Sequence, residues 1–183
     1  MSRMKHLSAA FKIWFPIAVA VTLVCGLVYA TVQQDLRQSA NDPQIQMAED
    51  LAGKLGNGIL PSRVLPENQV EISKSLSPYV IVFDAKGNYL AASATLDGKP
   101  PLLPAGVFDY AKTHGQNRVT WQPRLDVRSA IVVIPFKGSQ EGFVAAGRSL
   151  REVEIREDRT WFMVVFVWGT TLFVTLAATL LIV

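Results

Sequence analysis

Tyr79-Val80-Ile81-Val82-Phe83-Asp84-Ala85-Lys86-Gly87-Asn88-Tyr89-Leu90-Ala91-Ala92-Ser93 is the stretch that decides the fold. Its first six residues are rich in β-branched and aromatic side chains, which suit a pleated strand. Asp84 to Asn88 is a turn built on Gly87. Tyr89 to Ala94 then reads as a returning strand, which completes a β-hairpin.

The hairpin has helices before it and strands after it. Before it, Ile45, Ala48, Leu51, Ala52 and Leu55 follow helical spacing. Pro43 suits the first turn of that helix, Asp42 its N-cap, and Gly56-Asn57-Gly58 its end. Residues 59–68, with Pro61 and Pro66, read as a loop, and 70–76 are ambiguous between classes. After the hairpin, 95–106 carry Gly98, Pro100, Pro101 and Pro104 and read as a loop. Val107, Tyr110 and Ala111 predict a short helix ending near Gly115. Three strands follow, over 118–122, 127–136 and 143–148, and a helix over 150–159. In 118–122, Val119 and Trp121 fall on one face. Two helix sections, two strands, a short helix and three strands make an α+β domain with a five-stranded antiparallel sheet and flanking helices.

Two apolar runs enclose this domain. Residues 13–32 hold 16 apolar side chains in 20 and no charge, and 161–183 hold 18 in 23 and no charge. At about 1.5 Å of rise per residue, each is long enough as a helix to cross a bilayer core of about 30 Å. Trp14, Phe15, Trp161 and Phe162 sit where aromatic side chains favour the headgroup region. Pro16 is expected within the first turn or so of its helix, where a missing N–H costs little. The segments are therefore a tail (1–12), a first span (13–32), an exported domain (33–160) and a second span (161–183). A cleaved signal peptide is the competing reading of the first run, with Val28-Tyr29-Ala30 as its cleavage site. The run is longer than the usual signal core of about 7–15 residues, which favours an uncleaved anchor.

Charge is localised in the same way. The net charge is +3 and the pI about 9.1, yet residues 33–160 hold fifteen basic and fifteen acidic side chains. The excess is Arg3, Lys5 and Lys12, which predict a cytoplasmic N-terminus by the positive-inside rule. A neutral exported domain argues against nucleic-acid binding, which needs a basic face. The mean hydropathy of +0.25 averages two apolar spans with an ordinary soluble domain. The lone cysteine, Cys25, lies in the first run, so no intrachain disulfide forms and Cys–His metal patterns are excluded. No Gly-x-Ser-x-Gly, paired-His or phosphate-loop motif occurs, so neither an enzyme nor a cofactor or metal is expected.

The hairpin 79–93, together with Gly142-Phe-Val-Ala-Ala-Gly-Arg-Ser-Leu-Arg-Glu-Val-Glu154, resembles the extracytoplasmic PAS-like (single Cache) sensor domain of two-span bacterial sensor histidine kinases and methyl-accepting chemotaxis receptors. The resemblance covers nearly the whole chain. It implies a hairpin at the sheet centre and a last strand leading into an exit helix. It also implies a multi-pass protein of the bacterial inner membrane, with its domain in the periplasm. Such receptors continue into HAMP, dimerisation and signalling modules, whereas this sequence stops at Val183. The expectation is therefore a signal passed to a separate output protein, or a sequence that is part of a longer receptor.

The resemblance places a small-molecule pocket between the sheet and its covering loops, near the central strands and residues 95–106. Tyr79, Tyr110, His114, Arg118, Trp121, Arg128 and Arg148 are the candidate ligand-binding residues. Arginine suits bidentate carboxylate recognition, and aromatic rings suit flat ligands. In the spans, Ala18, Thr22, Gly26 and Ala30 lie on one helical face, as do Thr171, Thr175 and Thr179. Small residues at that spacing let helices pack closely within the chain or in a homodimer. The expected partners are the lipid bilayer, a second copy or a membrane-bound signalling protein, and a small ligand. The second reading is a non-sensing scaffold subunit that recruits a protein. A buried, polar-lined pocket favours the sensor, and a filled core with a large exposed apolar patch favours the scaffold.

Overall fold

The computed structural model describes residues 2–39 and 41–183, with side chains from His6 onward. Ala40 and the side chains of Arg3 and Lys5 lie outside the described residues. Two compact units are present, one formed by residues 37–153 and the other by the segments on either side of it.

Residues 37–153 hold helices α2 (Asp42–Gly56), α3 (Pro61–Val64) and α4 (Ala105–His114). Their strands are β1 (Val70–Glu71), β2 (Tyr79–Asp84), β3 (Tyr89–Ala92), β4 (Ala94–Thr95), β5 (Asn117–Arg124), β6 (Val127–Phe136) and β7 (Gly142–Ser149). The main sheet has five strands in the order β3-β2-β7-β6-β5, and every neighbouring pair is antiparallel. β7 is its middle strand. The hairpin is therefore not central as a whole: β2 is internal, and β3 is an edge strand. The reason lies at Ser93. Its buried hydroxyl accepts from the Val80 N–H at 3.0 Å, and its carbonyl accepts from the Val70 N–H at 2.8 Å. There the chain leaves β2, and Ala94–Thr95 pairs in parallel with Val70–Glu71 as a separate two-stranded sheet. The ambiguous stretch 70–76 is thus a very short strand followed by a turn.

The sheet is covered on both faces, which explains why β2 is buried along almost its whole length instead of alternating. On one face, Ala48, Leu51 and Leu55 of α2 pack on Val80, Val82, Val132, Val144 and Ala146. On the other, Phe108 and Ala111 of α4 pack with Tyr79, Ile81, Phe83, Ile131, Val133, Phe143 and Ala145. Phe108 makes an edge contact with Phe83 at 4.8 Å and a tilted one with Phe143 at 5.1 Å. α4 opens after Pro104 in extended geometry and stops at Gly115, whose φ of 80° is the left-handed stop a glycine supplies.

Three local expectations are revised. Asp42 is the first residue of α2 and Asn41 its N-cap, without a side-chain capping bond. Residues 59–68 include the single turn α3, begun by Pro61. The third revision concerns the other unit, which holds α1 (Ser2–Ser39) and most of α5 (Arg151–Ile182). α1 begins at Ser2, so Pro16 lies inside the helix and not in its first turn. Good helix formers such as Leu7, Ala9 and Ala10 carry the helix back through the tail.

Both long helices are long and apolar enough to cross a membrane. Their apolar side chains stand largely exposed, with Leu23 at 69% and Phe166 at 73%. Two indoles, one from each helix, join the helices through three hydrogen bonds. Trp14 Nε1 donates to Thr175 Oγ1 at 3.1 Å and to the Leu172 carbonyl at 3.2 Å, and Trp168 Nε1 donates to Thr22 Oγ1 at 2.9 Å. Tyr29 and Trp161 meet edge to face at 5.2 Å. Of the small-residue faces, Ala18 and Thr179 are buried, and Thr171 and Thr175 are half-buried. Gly26 and Ala30 are exposed, and a Cβ built on Gly26 meets nothing within 4 Å. Helix α1 instead half-buries Trp14, Val21, Cys25 and Tyr29.

Candidate functional site

An open groove of about 830 Å³ lies beside the face of the sheet that α4 covers. Its walls are Leu102, Leu103 and Pro104 of the loop before α4, Val107 of α4, and Val119 to Pro123 of β5. Local sequence explains the position. Val119 and Trp121 alternate onto the same face as Ile131 and Ser129, their partners on β6. Pro101, Pro104 and a helix started by Pro104 hold the loop extended above them. Asn117 Nδ2 donates to the Val107 carbonyl at 3.0 Å and ties α4 to β5 at one end. Seven of the nine lining residues are apolar, Thr120 and Gln122 are polar, and no charged residue is among them.

Two buried hydroxyls, on Ser129 and Tyr79, lie on this side of the sheet, and Ser129 is the cross-strand partner of Trp121. Among the described residues neither makes a hydrogen bond. Tyr79 is paired with Gly147 across the β2–β7 register, and its ring lies over that glycine. A Cβ on Gly147 would come 2.4 Å from Tyr79 Cζ, so only glycine leaves room for the ring. Burial pushes the Tyr79 phenol well above the usual tyrosine range. The nearby Ser129 hydroxyl, outside hydrogen-bond geometry, offsets this only in part.

The residues singled out from sequence fall into three groups. Tyr79 and Trp121 share the groove side of the sheet. Tyr110 and His114 stack on each other at 4.0 Å on the exposed side of α4, where the His114 ring also meets the Tyr110 carbonyl and Thr113. Arg118, Arg128 and Arg148 alternate onto the opposite face, the one α2 covers, in line with Val132, Ala130 and Ala146. Arg148 pairs with Glu152 at 3.6 Å. The structure therefore does not bring the arginines to the aromatic pair. Strand parity sets this: Arg118 and Arg148 are the cross-strand partners of Val132 and Ala130, and Arg128 is in phase with both, whereas Trp121, Ser129 and Ile131 lie on the groove side.

Sequence reading missed Ser129, Val107, Val119 and Glu71. Ser129 had a signal, as a lone hydroxyl in an apolar strand in phase with Ile131. Glu71 had none. Its carboxylate accepts from Ser73 Oγ at 2.9 Å, Thr95 Oγ1 at 3.0 Å, the Asp97 N–H at 3.0 Å and the Gly98 N–H at 3.3 Å. Those bonds, the Asp97 N–H foremost, hold it down from 4.5 to about 2. They fix a loop in which Asp97 and Gly98 both have positive φ, and Arg124 pairs with Asp97 at 3.0 Å. Arg151, the first residue of α5, donates to the Ser73 carbonyl at 2.8 Å. A second cleft, of about 610 Å³, is lined by Ser73, Arg124–Val127 and Arg151.

No protein-family profile and no curated protein sequence matches the chain. Among solved structures, the ligand-binding domain of the Pseudomonas aeruginosa PAO1 amino acid chemoreceptor PctC, in complex with GABA, is similar at a TM-score of 0.43 and 15% identity. The match covers 75% of this chain and 62% of that one, so this chain spans less than two thirds of its neighbour's length.

Proposed function

We propose that this protein is a membrane-anchored sensor whose exported domain binds a small molecule in the α4–β5 groove and signals through α5. The observation that carries the reading is the groove and its connection to the exit. The groove's floor belongs to the same sheet as β7, and β7 runs through Leu150 directly into α5, a continuous helix of 32 residues. A ligand that shifts β5 and β6 strains the β6–β7 register, and small helix displacements are an established switching mode. Membrane anchoring is supported by the exposed apolar surfaces of α1 and α5, which water would disfavour. The three N-terminal cations support a cytoplasmic N-terminus, with the domain outside the bacterial inner membrane. The mainly apolar lining of the groove supports binding as its role.

The scaffold reading also draws on an observation: Leu102, at the groove rim, is 66% exposed. The groove is open and mainly apolar, and the two buried hydroxyls lie on the same side of the sheet, so it matches neither of the two pocket types in pure form. The test is a thermal-shift screen of the full chain in nanodiscs against small molecules. A sensor shows a rise in unfolding midpoint that Val107→Trp, which fills the groove, removes. Shifts that survive Val107→Trp, or none at all, overturn the assignment of the groove.

A further inference from the structure

We propose that the groove takes an uncharged, largely apolar small molecule whose one hydrogen-bonding group meets Ser129 Oγ and Tyr79 Oη; this rests on the ligand-binding reading above.

Charge is the first argument. A carboxylate or ammonium group entering the groove gives up water, and burial without a paired, hydrogen-bonded partner is strongly unfavourable. The walls offer apolar side chains, Thr120 and Gln122. The three arginines that could have met a carboxylate alternate onto the other face, and Arg124 is held by Asp97 at 3.0 Å. An amino acid zwitterion therefore finds no counter-charge for either end, whereas an uncharged ring finds matching walls.

The two hydroxyls are the second argument. Tyr79 and Ser129 are both buried with their hydroxyls near each other, and neither makes a hydrogen bond in full geometry among the described residues. Buried polar groups are nearly always paired, and an orphan calls for an explanation. A hydroxyl can both donate and accept, so the pair can hold a ligand hydroxyl, carbonyl or amide. Ser129 is the cross-strand partner of Trp121, the groove's aromatic wall. Directly opposed residues on one face stand about 5 Å apart, so a modest movement of the indole opens the groove to Ser129. Gly147 allows the Tyr79 ring to lie across β7 toward the same point. The phenol, like any tyrosine at neutral pH, is protonated and thus a donor.

The test uses the full chain in nanodiscs and three fluorinated probes followed by fluorine NMR, with empty nanodiscs subtracted. These are 4-fluorophenol, fluorobenzene and zwitterionic 4-fluorophenylalanine. Saturable binding is expected for 4-fluorophenol, weaker by about 5- to 10-fold for fluorobenzene, which lacks the hydrogen bond. No binding is expected for 4-fluorophenylalanine. Tyr79→Phe and Ser129→Ala should each weaken 4-fluorophenol by a similar factor. Neither should lower the unfolding midpoint of the free protein, because each removes an orphan hydroxyl. A merely structural role would show the reverse pattern. If 4-fluorophenylalanine binds more tightly than 4-fluorophenol and Val107→Trp removes that binding, the uncharged class is overturned and the sensor reading stands. Binding of 4-fluorophenol that neither hydroxyl variant weakens overturns the polar end. No saturable binding of any probe overturns both readings.

Discussion

Glu71→Gln tests the reasoning most directly, because its effect can be worked out from four hydrogen bonds. All four groups around the carboxylate donate to it. Glutamine replaces one acceptor oxygen with an NH2 group, so some of these donors lose their acceptor. A carboxyl held down from 4.5 to about 2 corresponds to at most about 3.4 kcal/mol of preference for the charged form. The group is only partly buried, and solvent screening reduces this to roughly 1–2 kcal/mol. The sign follows from linkage. A lowered folded value means that the contribution is complete above the unfolded value near 4.5, and is lost as pH falls toward about 2. Wild-type stability should therefore decline between pH 4.5 and 2 more steeply than that of Glu71→Gln, and the two should converge at the acid end. Asp84 is also held low, chiefly by the Asn88 side chain. It is present in both proteins, so their difference isolates Glu71. Denaturant unfolding of the full chain across pH 6 to 2 gives the curves, and hydrogen exchange at the Asp97 and Gly98 amides localises the change. Parallel curves for the two proteins through that window would refute the argument.

Three further perturbations follow from the same geometry. Gly147→Ala sets a Cβ against the buried Tyr79 ring and should cost about 2–3 kcal/mol in denaturant unfolding, whereas Gly106→Ala, in an open helical site, should stabilise by up to about 1 kcal/mol; equal midpoints would contradict the packing. Trp14→Phe and Trp168→Phe each delete an indole donor and should weaken the pairing of α1 with α5 by about 0.6–1.7 kcal/mol in steric-trapping measurements, and an unchanged pairing in both would count against the two staples. In a Cys25→Ala background, a cysteine at the exposed Leu90 should react with an impermeant thiol reagent added outside intact cells, and labelling only after lysis would reverse the proposed orientation.

How far the sequence foretold this protein depends on the range over which each signal acts. Strand and helix identities depend on local side-chain chemistry, so the positions of α2, α4, β2, β6 and β7 follow closely from residues such as Tyr79–Phe83, Val127–Phe136 and Gly115. Strand order is non-local. Nothing in Tyr89–Ala92 announces an edge strand, and the departure at Ser93 depends on a hydroxyl meeting the Val80 amide thirteen residues away. The candidate site was half legible for the same reason. Trp121 and Tyr79 were chosen by residue type, and both lie on the groove side of the sheet. The arginines were chosen on the same ground, but type says nothing about which face of a strand a residue occupies. Parity does, and it was readable: with Val119 and Trp121 assigned to one face, Arg118 had to lie on the other. Parity fixes the face of a residue within one strand, while register fixes its neighbours across strands. The β5–β6 pairing sets Trp121 beside Ser129, and the β2–β7 pairing brings Tyr79 over Gly147. The orphan hydroxyls are a product of both registers at once, which is why no local motif in either strand could have marked them.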